Sequence, residues 1–425
     1  MNAPGLRGIC PGLSVPMPTG DGLLVRLRPT APIPLDAMVG FCGAARRHGN
    51  GIIEISARGS LQVRGLTPRS APLFASAVAE LGIATHEGVP VIAGFDLINR
   101  VNTANVAGEL RRAIANAGLA LSAKISIVAD CGGQLHLDAL SADVRLRVTA
   151  QAQGRGFDLP RFHLGLGGDG ASATWLGSVA MVDVVGAVLG ILAIVAARGP
   201  TARAATIIRA DGVEAFRSVS GAVVEPSPAP PQRMRAEMIG VHPAHNGTVA
   251  IGIGLGFGQT HADALAEIVR PSAIRGAQAL WPAPDRALLL IGVSALDVLD
   301  LTAAAEQLGF VVHAGDPRRR IAACAGAPAC ASGLIPARAL ASALAPALEP
   351  VLKLERSGIF VHISGCPKGC AHPLPAALTL VGTPHGCGIV QHGCAREAPG
   401  HYVDPANLGD EISRIATTSK EAAHG

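Results

Sequence analysis

Apolar and polar positions alternate along several short segments of the chain, and longer segments between them repeat apolar residues every three to four positions. In the first part, the turn Asp21-Gly22 opens the alternating segment LLVRLRP, and the helical pattern LDAMVGFCGAARRHG follows it. A second alternating segment, SLQVRGL, and a second helical pattern come next. These two periodicities predict strands and helices respectively. The resulting β-α-β-α order is typical of half of a ferredoxin-like α+β unit.

The same order returns in the second part of the chain. There the turn Asn246-Gly247 opens TVAIGIG, and the segments HADALAEIVRP and ALLLIGV follow. GLTPRSAPLFASAVAELGI at 65–83 aligns without a gap with GVSALDVLDLTAAAEQLGF at 292–310. We therefore predict an internal repeat whose two copies pair about a pseudo-twofold axis, with a ligand cleft along that axis.

The repeat and a proline-rich break, EPSPAPPQRMR from Glu225, divide the chain. A segment so rich in proline predicts an extended linker. We predict an α+β fold with five parts: a first half-domain at 16–84, a first α/β lobe at 85–222, the linker at 223–237, a second half-domain at 238–311 and a second α/β lobe at 312–425.

Composition narrows the class of protein. The chain has 425 residues, 49% hydrophobic but only 3% aromatic, so small aliphatic residues must form the core, and a disordered chain is excluded. The net charge of +4 is too small and dispersed to indicate nucleic-acid binding. The longest apolar run, Val184–Ala197, is shorter than the ~20 residues that span a bilayer, so we predict a buried helix and no membrane association. The start, MNAPGLRGICPG, lacks a signal-peptide pattern and predicts a cytoplasmic protein.

Four cysteines carry the strongest chemical signal. They are spaced Cys324-x5-Cys330 and Cys366-x3-Cys370, and small residues surround them. Four soft thiolates provide one ligand for each iron of a [4Fe–4S] cluster, and glycines let the backbone approach it. Disulfides and a structural zinc are the alternatives, but a reducing compartment disfavours the first, and zinc pairs are usually closer in sequence. We predict the cluster.

The two copies of the repeat differ in polarity. The first copy has Arg58, Gln62 and Arg64, whereas the residues 227 positions later are Asp285, Leu289 and Ile291. Alternation places positions 62 and 64 on one strand face. We predict that this cationic face binds an anion. The alternative is an ordinary solvated surface.

The four cysteines and the repeat resemble the sulfite/nitrite reductase superfamily and, within it, the precorrin-3B synthase family. The segments that carry the resemblance are CPGLSVPMPTGDGLLVRLRP, ISARGSLQVRGL, GQLHLDALSADVRLRV, DPRRRIAACAGAPACASG and HISGCPKGCAHP. Sirohaem reductases usually have Asn where this chain has Lys368, and sulfite reductases have a second lysine where Ser126 follows Lys124. The chain is also short for a sulfite reductase. The resemblance implies two ferredoxin-like half-domains and two α/β lobes in a pseudo-twofold arrangement.

The resemblance also implies a reaction. In that family precorrin-3A is hydroxylated at C20 and closes a γ-lactone to give precorrin-3B during aerobic cobalamin biosynthesis. Dioxygen supplies the oxygen, and an external donor supplies electrons through the [4Fe–4S] cluster. Because the repeat is an internal pseudo-dimer, a monomer could already be complete. The alternatives are a nitrite or sulfite reductase that uses sirohaem, and a non-catalytic iron–sulfur carrier of tetrapyrroles.

A substrate with eight carboxylates requires a pocket rich in Arg and Lys. Any one of these charges, taken alone, is also compatible with a solvated surface. The candidate substrate-binding residues share a cationic or amide side chain near the matching segments: Arg26, Arg28, Arg58, Gln62, Arg64, Lys124, Arg318, Arg319, Arg320 and Lys368.

Dioxygen chemistry requires a metal or a flavin. The resemblance implies a mononuclear non-haem iron, and we take His136 and Asp138, predicted on one strand face, as the first candidate ligands. His362 and His372 are alternatives, and the alternative role for His136 is a surface hydrogen bond to Asp138. In sirohaem enzymes the last cysteine, here Cys370, also bridges to the haem iron.

A further pattern repeats HGC, as His385-Gly-Cys387 and His392-Gly-Cys394. Two His and two Cys could bind zinc, but one turn rarely presents four tetrahedral ligands. We predict free thiols.

Overall fold

A computed structural model describes most of the chain, at residues 11–95, 97, 103–130, 132–149, 160–220, 224–354, 359–404, 407–409, 411 and 414. Cys10 and Cys131 lie outside these residues. The first repeat, as we call residues 17–80, contains β1 (Met17–Thr19), β2 (Gly22–Leu27), β3 (Ile33–Pro34), α1 (Leu35–His48), β4 (Ile52–Ile55), β5 (Leu61–Leu66) and α2 (Ser70–Glu80).

The first lobe, residues 91–225, follows. It contains β6 (Val91–Ala93), α3 (Thr103–Ala117), β7 (Ile127–Asp130), β8 (Ala142–Val148), β9 (Arg161–Gly168), β10 (Thr174–Ala180), α4 (Val184–Ala197), α5 (Ala204–Asp211), α6 (Glu214–Ser220) and β11 (Val224–Glu225). Its sheet has the order β11-β10-β9-β8-β7-β6, in which β6, β7 and β8 are parallel and the remaining pairs antiparallel. The apolar run forms α4, which buries Val188, Ile191 and Leu192 in the lobe's core. Among the described residues, no helix combines the length and the apolar character needed to cross a bilayer.

The second repeat, residues 240–307, has the same elements. They are β12 (Gly240–Pro243), β13 (Val249–Gly254), β14 (Gln259–His261), α7 (Ala262–Ile274), β15 (Ala279–Ala283), β16 (Ala287–Val293) and α8 (Val298–Gln307). Shifting the bounds of β2 by 227 residues gives those of β13, which confirms the predicted repeat. The predicted order is wrong in one respect, since each copy has an extra strand, β4 or β15. The true order around each first helix is β-α-β-β-α.

The two repeats exchange short strands. The sheet of the first repeat has the order β1-β2-β5-β4-β14, and that of the second has the order β12-β13-β16-β15-β3. β14 of the second repeat pairs with β4, and β3 of the first pairs with β15. Side chains from both copies, including Phe41 and Leu265, form one hydrophobic core. The two copies are therefore one structural unit, and the boundaries of the five predicted parts stay a prediction.

The second lobe, residues 321–403, contains β17 (Ile321–Ala323), α9 (Ala337–Leu354), β18 (Val361–Ser364), β19 (Ala376–Thr383), β20 (Gly386–Gly393) and β21 (His401–Val403). The five strands form one sheet in sequence order, and β17, β18 and β19 are parallel. The carboxyl ends of β17 and β18 therefore meet at one edge, the usual position for ligand-binding loops in a parallel sheet.

The proline-rich segment between β11 and β12 has no regular secondary structure at 226–237, whereas Val224 and Glu225, which we predicted as part of the linker, form β11. It packs on the first lobe, where the Nη1 of Arg147 donates a hydrogen bond to the carbonyl of Pro231 (2.7 Å).

Candidate functional site

The four predicted cluster cysteines lie in loops at the edge where β17 and β18 end. Cys324 directly follows β17, and Cys366 comes two residues after β18. The two strands are paired in register, Ala323 with Ile363, and the N–H of Cys324 donates to the carbonyl of Ile363 (3.2 Å). The strand pairing thus sets the positions of the two loops that contain the four thiols.

Glycines shape these loops. Gly326 has φ of +65°, a conformation that favours glycine, and its carbonyl accepts the N–H of Cys330 (2.7 Å). The N–H of Gly365 donates to the Sγ of Cys324 (3.1 Å), and a Cβ at position 365 would lie 3.4 Å from that sulfur. A backbone N–H directed at a sulfur stabilises negative charge on it.

The thiols are close enough to influence one another. The described cysteines are all free, and Cys370 is exposed, whereas Cys324, Cys330 and Cys366 are half-buried. Burial raises the pKa of Cys370, and the neighbouring thiols of Cys366, Cys324 and Cys330 raise it further. Four soft thiol donors in two adjoining loops, with the backbone N–H of Gly365 directed at one sulfur, are a donor set that fits an iron–sulfur cluster.

A cleft of about 400 Å³ lies between the first repeat, the first lobe and β15. Its cationic lining residues are Arg26, Arg28, Arg58, Arg111 and Lys124. His86 also lines it, and the lining residues include no Asp or Glu. The alternating segment LLVRLRP predicts a strand that includes Arg28, but β2 ends at Leu27, so Arg28 lies one residue beyond the strand. A cleft with five cations and no carboxylate is suited to a polyanion.

Arg58 is held between the first repeat and the first lobe. Its Nη1 donates to the carbonyl of Ser141 (2.8 Å), and its Nη2 donates to the Oγ of Ser126 (3.1 Å). Burial lowers the pKa of Arg58, and the nearby Asp143 opposes that effect. Lys124, two residues before Ser126, is exposed. Lys124 thus adds a cation to the cleft, and Ser126 holds the guanidinium of Arg58 in place.

Sequence reasoning missed Arg111. It lies on α3, donates one N–H from Nη2 to the carbonyl of Val91 (2.7 Å) and contributes to the cleft. Burial lowers its pKa. The segment LRRAI in which it occurs reads as the polar face of an ordinary surface helix, so only the packing of α3 against β6 identifies it.

An aromatic wall closes one side of the cleft. Phe95 and Trp281 meet edge to face, with ring centroids 5.0 Å apart and an interplanar angle of 78°. Val91 and Ile92 extend the apolar surface. The cleft therefore combines cations with an aromatic surface, as the binding of a large, flat, polycarboxylate molecule requires.

Two predicted substrate residues, Gln62 and Arg64, do not line the cleft. Arg64 is buried, and its Nε donates to Asp21 (3.2 Å) while its Nη2 donates to the carbonyl of Ala329, next to Cys330. Gln62 is also buried, between Arg26 and Glu54. The structure thus does not bring these two residues to the cleft, because Asp21 in the turn before β2 and Glu54 on β4 already pair with them.

The run Arg318–Arg320 is also engaged elsewhere. Arg318 pairs with Asp316, and Arg319 forms a bidentate pair with Glu237 (2.8 and 2.9 Å). Arg320 donates to the carbonyl of Leu352, and none of the three lines the cleft. Lys368, between two cluster cysteines, donates from Nζ to the Oγ of Ser332 (2.8 Å) and lies outside the cleft as well.

His136 and Asp138 lie in a loop between β7 and β8, not on one strand face as predicted. With Asp130 they place three ligand atoms within 4.8 Å of one another. However, the guanidinium of Arg233 donates to both Asp138 oxygens (2.8 Å each) and to Asp130. Arg147 approaches Asp138 as well (3.5 Å). Because cationic groups already neutralise these carboxylates, the arrangement does not fit an iron centre.

His362 and His372 lie beside the cluster loops, with ring centroids 5.8 Å apart. His362 is fully buried, neither of its ring nitrogens has a hydrogen-bond partner in the described structure, and burial lowers its pKa to about 4. Cys387 is buried with its pKa raised to about 11, and Cys394 is also a free thiol. Neither thiol takes part in a disulfide, and the prediction that both remain free of metal stays a prediction.

Comparison with known proteins decides the family. No family model matches the chain. The chain is 38% identical over 416 residues to a precorrin-3B synthase of a Sinorhizobium species, an alignment that covers 96% of this chain and 88% of that protein. The chain belongs to the precorrin-3B synthase family. Membership of the precorrin-3B synthase family makes it an enzyme, an oxidoreductase, as the resemblance implied.

More distant relatives agree with the fold. A ferredoxin–nitrite reductase of Synechococcus elongatus is 24% identical over 383 residues, which cover 82% of this chain and 73% of the reductase. The structure of the Mycobacterium tuberculosis NirA protein superposes with a TM-score of 0.72 at 21% identity, covering 93% of this chain and 80% of that one. These comparisons confirm the predicted α+β class and the sulfite/nitrite reductase-like architecture that this precorrin-3B synthase family member shares.

Proposed function

We propose that this chain catalyses the oxygen-dependent hydroxylation of precorrin-3A at C20, with closure of a γ-lactone, to give precorrin-3B in cobalamin biosynthesis. Membership of the precorrin-3B synthase family supports this reaction. The observation that carries the proposal is the cleft itself, since its cationic lining and aromatic wall suit a flat tetrapyrrole with eight carboxylates.

The cleft's own residues bind and orient the substrate. The guanidinium groups of Arg28 and Arg111 can each form a bidentate pair with a carboxylate, which fixes position and orientation together, and Arg26 adds positive charge to the same cleft. Phe95 and Trp281 contact the apolar macrocycle from one side and exclude water from it. Substrate contacts for Gln62, Arg64 and Arg318–Arg320 are not part of the proposal, because these side chains have other partners.

Cys324, Cys330, Cys366 and Cys370 would hold the [4Fe–4S] cluster. When bound, the cluster supplies single electrons from an external donor. The N–H of Gly365, 3.1 Å from the Sγ of Cys324, stabilises thiolate charge there. The overall reaction takes up one dioxygen, two electrons and two protons, leaves one oxygen atom on C20 and releases the other as water.

An isotope experiment tests this proposal. Anaerobically purified protein with its cluster is incubated with precorrin-3A and a reductant, and ¹⁸O₂ is then admitted. We expect precorrin-3B with one ¹⁸O atom, measured by mass spectrometry. Precorrin-3B without ¹⁸O, whose added oxygen would then come from water, or no product at all, would contradict the oxygenase. Bound sirohaem together with turnover of nitrite or sulfite would instead establish the reductase alternative. An Arg319→Gln variant should give the same labelled product, since the side chain at position 319 lies outside the cleft.

A further inference from the structure

A buried chain of polar side chains connects the cleft to the cysteine loops. The Nε of Arg26, which lines the cleft, donates to the Oε1 of Gln62 (2.9 Å). The Nε2 of Gln62 donates to the Oε2 of Glu54 (2.7 Å). Because a guanidinium only donates and a carboxylate only accepts, the amide between them can adopt only this orientation. The direction of the chain is therefore fixed by charge at both ends.

Beyond Glu54 the chain divides toward both sides of the first cysteine loop. The Oε1 of Glu54 accepts a hydrogen bond from Arg338, the second residue of α9, the helix that follows that loop. The Nε of Arg64 lies 3.6 Å from the same oxygen, and its Nη2 donates to the carbonyl of Ala329, directly before Cys330. One carboxylate thus contacts arginines that hold the loop at Ala329 and at the start of α9.

Glu54 is suited to this position because it is buried and remains ionised. Only 3% of its surface is exposed. Burial alone would raise the pKa of Glu54, but the charges of Arg338 and Arg64 outweigh burial and lower it. A buried carboxylate between two arginines resists displacement, since removing any partner leaves an uncompensated charge.

We propose that Gln62 and Glu54 are positioning residues that couple occupancy of the cleft to the conformation of the Cys324–Cys330 loop. A carboxylate bound to Arg26 changes the geometry of the Arg26–Gln62 hydrogen bond, and Glu54 passes the change to Arg64 and Arg338. The environment of the cluster then depends on whether substrate is present. This inference rests on the proposed function for the identity of the ligand and of the cluster.

Two glutamines of the protein, Gln62 and Gln259, provide a matched pair of variants. Gln259 on β14 also contacts this network, because its Oε1 accepts from the Nη1 of Arg338 (2.9 Å), but it does not lie between Arg26 and Glu54. Gln62→Met and Gln259→Met each replace an amide with an apolar side chain of similar length. Arg26→Lys is a further variant that keeps the charge in the cleft and removes the Nε donor.

The test uses the protein with its cluster and uroporphyrin, a stable tetrapyrrole with eight carboxylates. Affinity is measured by quenching of Trp281 fluorescence. The conformation of the cysteine loop is followed by the electron paramagnetic resonance spectrum of the reduced cluster and by hydrogen exchange of residues 324–336. In the wild type, uroporphyrin should change both loop signals. Gln62→Met should bind uroporphyrin within about tenfold of the wild type, the range of one lost hydrogen bond, and lose the loop response. Gln259→Met should keep it.

A loop response that persists in Gln62→Met, or that disappears equally in Gln259→Met, overturns the coupling. If the wild type binds no uroporphyrin, the assignment of the cleft as a site for octacarboxylate tetrapyrroles is overturned instead, whereas the oxygenase reaction is decided by the isotope experiment. The coupling is then tested without ligand. Arg26→Lys alone should increase hydrogen exchange of residues 324–336, but should cause no further increase in protein that already has Gln62→Met. Additive effects of the two substitutions would contradict the proposed coupling between Arg26 and the cysteine loop.

Discussion

Replacing Arg111 by glutamine tests the structure against the sequence, because only the structure places this residue in the cleft. The Nη2 of Arg111 donates to the carbonyl of Val91 (2.7 Å), which leaves further N–H donors for a ligand. A hydrogen bond between charged groups contributes about 1.5–3 kcal/mol, and about 1.4 kcal/mol corresponds to a tenfold change in affinity. We expect Arg111→Gln to weaken uroporphyrin binding by about tenfold, the lower limit, because the cleft is open to solvent.

Arg319→Gln is the comparison, because the sequence predicted Arg319 as a substrate-binding residue whereas the structure places it outside the cleft. Its guanidinium forms a bidentate pair with Glu237 and donates to the carbonyl of Ala314 (2.6 Å), so it has little capacity left for a ligand. We expect less than about a twofold change in affinity, within the range of a surface ion pair. The assay is quenching of Trp281 fluorescence in a Trp175→Phe background, since Trp175 packs against His163 in the first lobe. Equal losses of affinity in the two variants would refute the assignment of the cleft.

Three further predictions concern the cluster, the hydrogen bonds of a buried carboxylate, and pH. Cys370→Ser should lower the iron and sulfide content of anaerobically purified protein, whereas Cys387→Ser, with a buried thiol of pKa about 11, should leave both unchanged. Asp143→Ala should lower the unfolding free energy in urea by about 3 kcal/mol, because it removes the acceptor of the buried N–H groups of Ser126 and Ala204 as well as the partner of Arg203. A change below about 1 kcal/mol would contradict these contacts. Burial lowers the pKa of His242, so below about pH 6.5 the unfolded state binds more protons than the folded state. The unfolding free energy should therefore fall as the pH decreases below that value. His242→Asn should reduce the dependence of the unfolding free energy on pH, and an unchanged dependence would contradict this reasoning.

The sequence predicted those parts of the fold that depend on local periodicity. β2, α1 and their counterparts 227 residues later follow from alternation and from helical spacing. The strand β15 was missed because it is short and contains Pro282, which reads as a break. β3 and β14 could not be predicted, since each has only two or three residues and pairs with the other repeat. Such pairing depends on how α1 and α7 pack, which no local pattern encodes.

The candidate site divides in the same way. The cysteine motif was readable because all four ligands have one chemistry and a fixed spacing. The arginines were harder, because an arginine in a sequence does not reveal its partner. Arg64 is paired with Asp21, 43 residues away, and Arg338 with Glu54, 284 residues away. Only the tertiary structure shows which cations are neutralised by acidic neighbours and which line the cleft.

The strand exchange between the repeats has a consequence for how the chain acquires its structure. When the ribosome has released the first repeat, β4 lacks its neighbour β14, and the apolar face of α1 lacks α7, until about 200 more residues have been made, at ribosomal rates of about 5–20 residues per second. During those tens of seconds an unpaired strand edge and an uncovered apolar surface are open to other chains. Separate expression of the two halves should therefore yield insoluble fragments, and co-expression should yield a soluble, non-covalent pair.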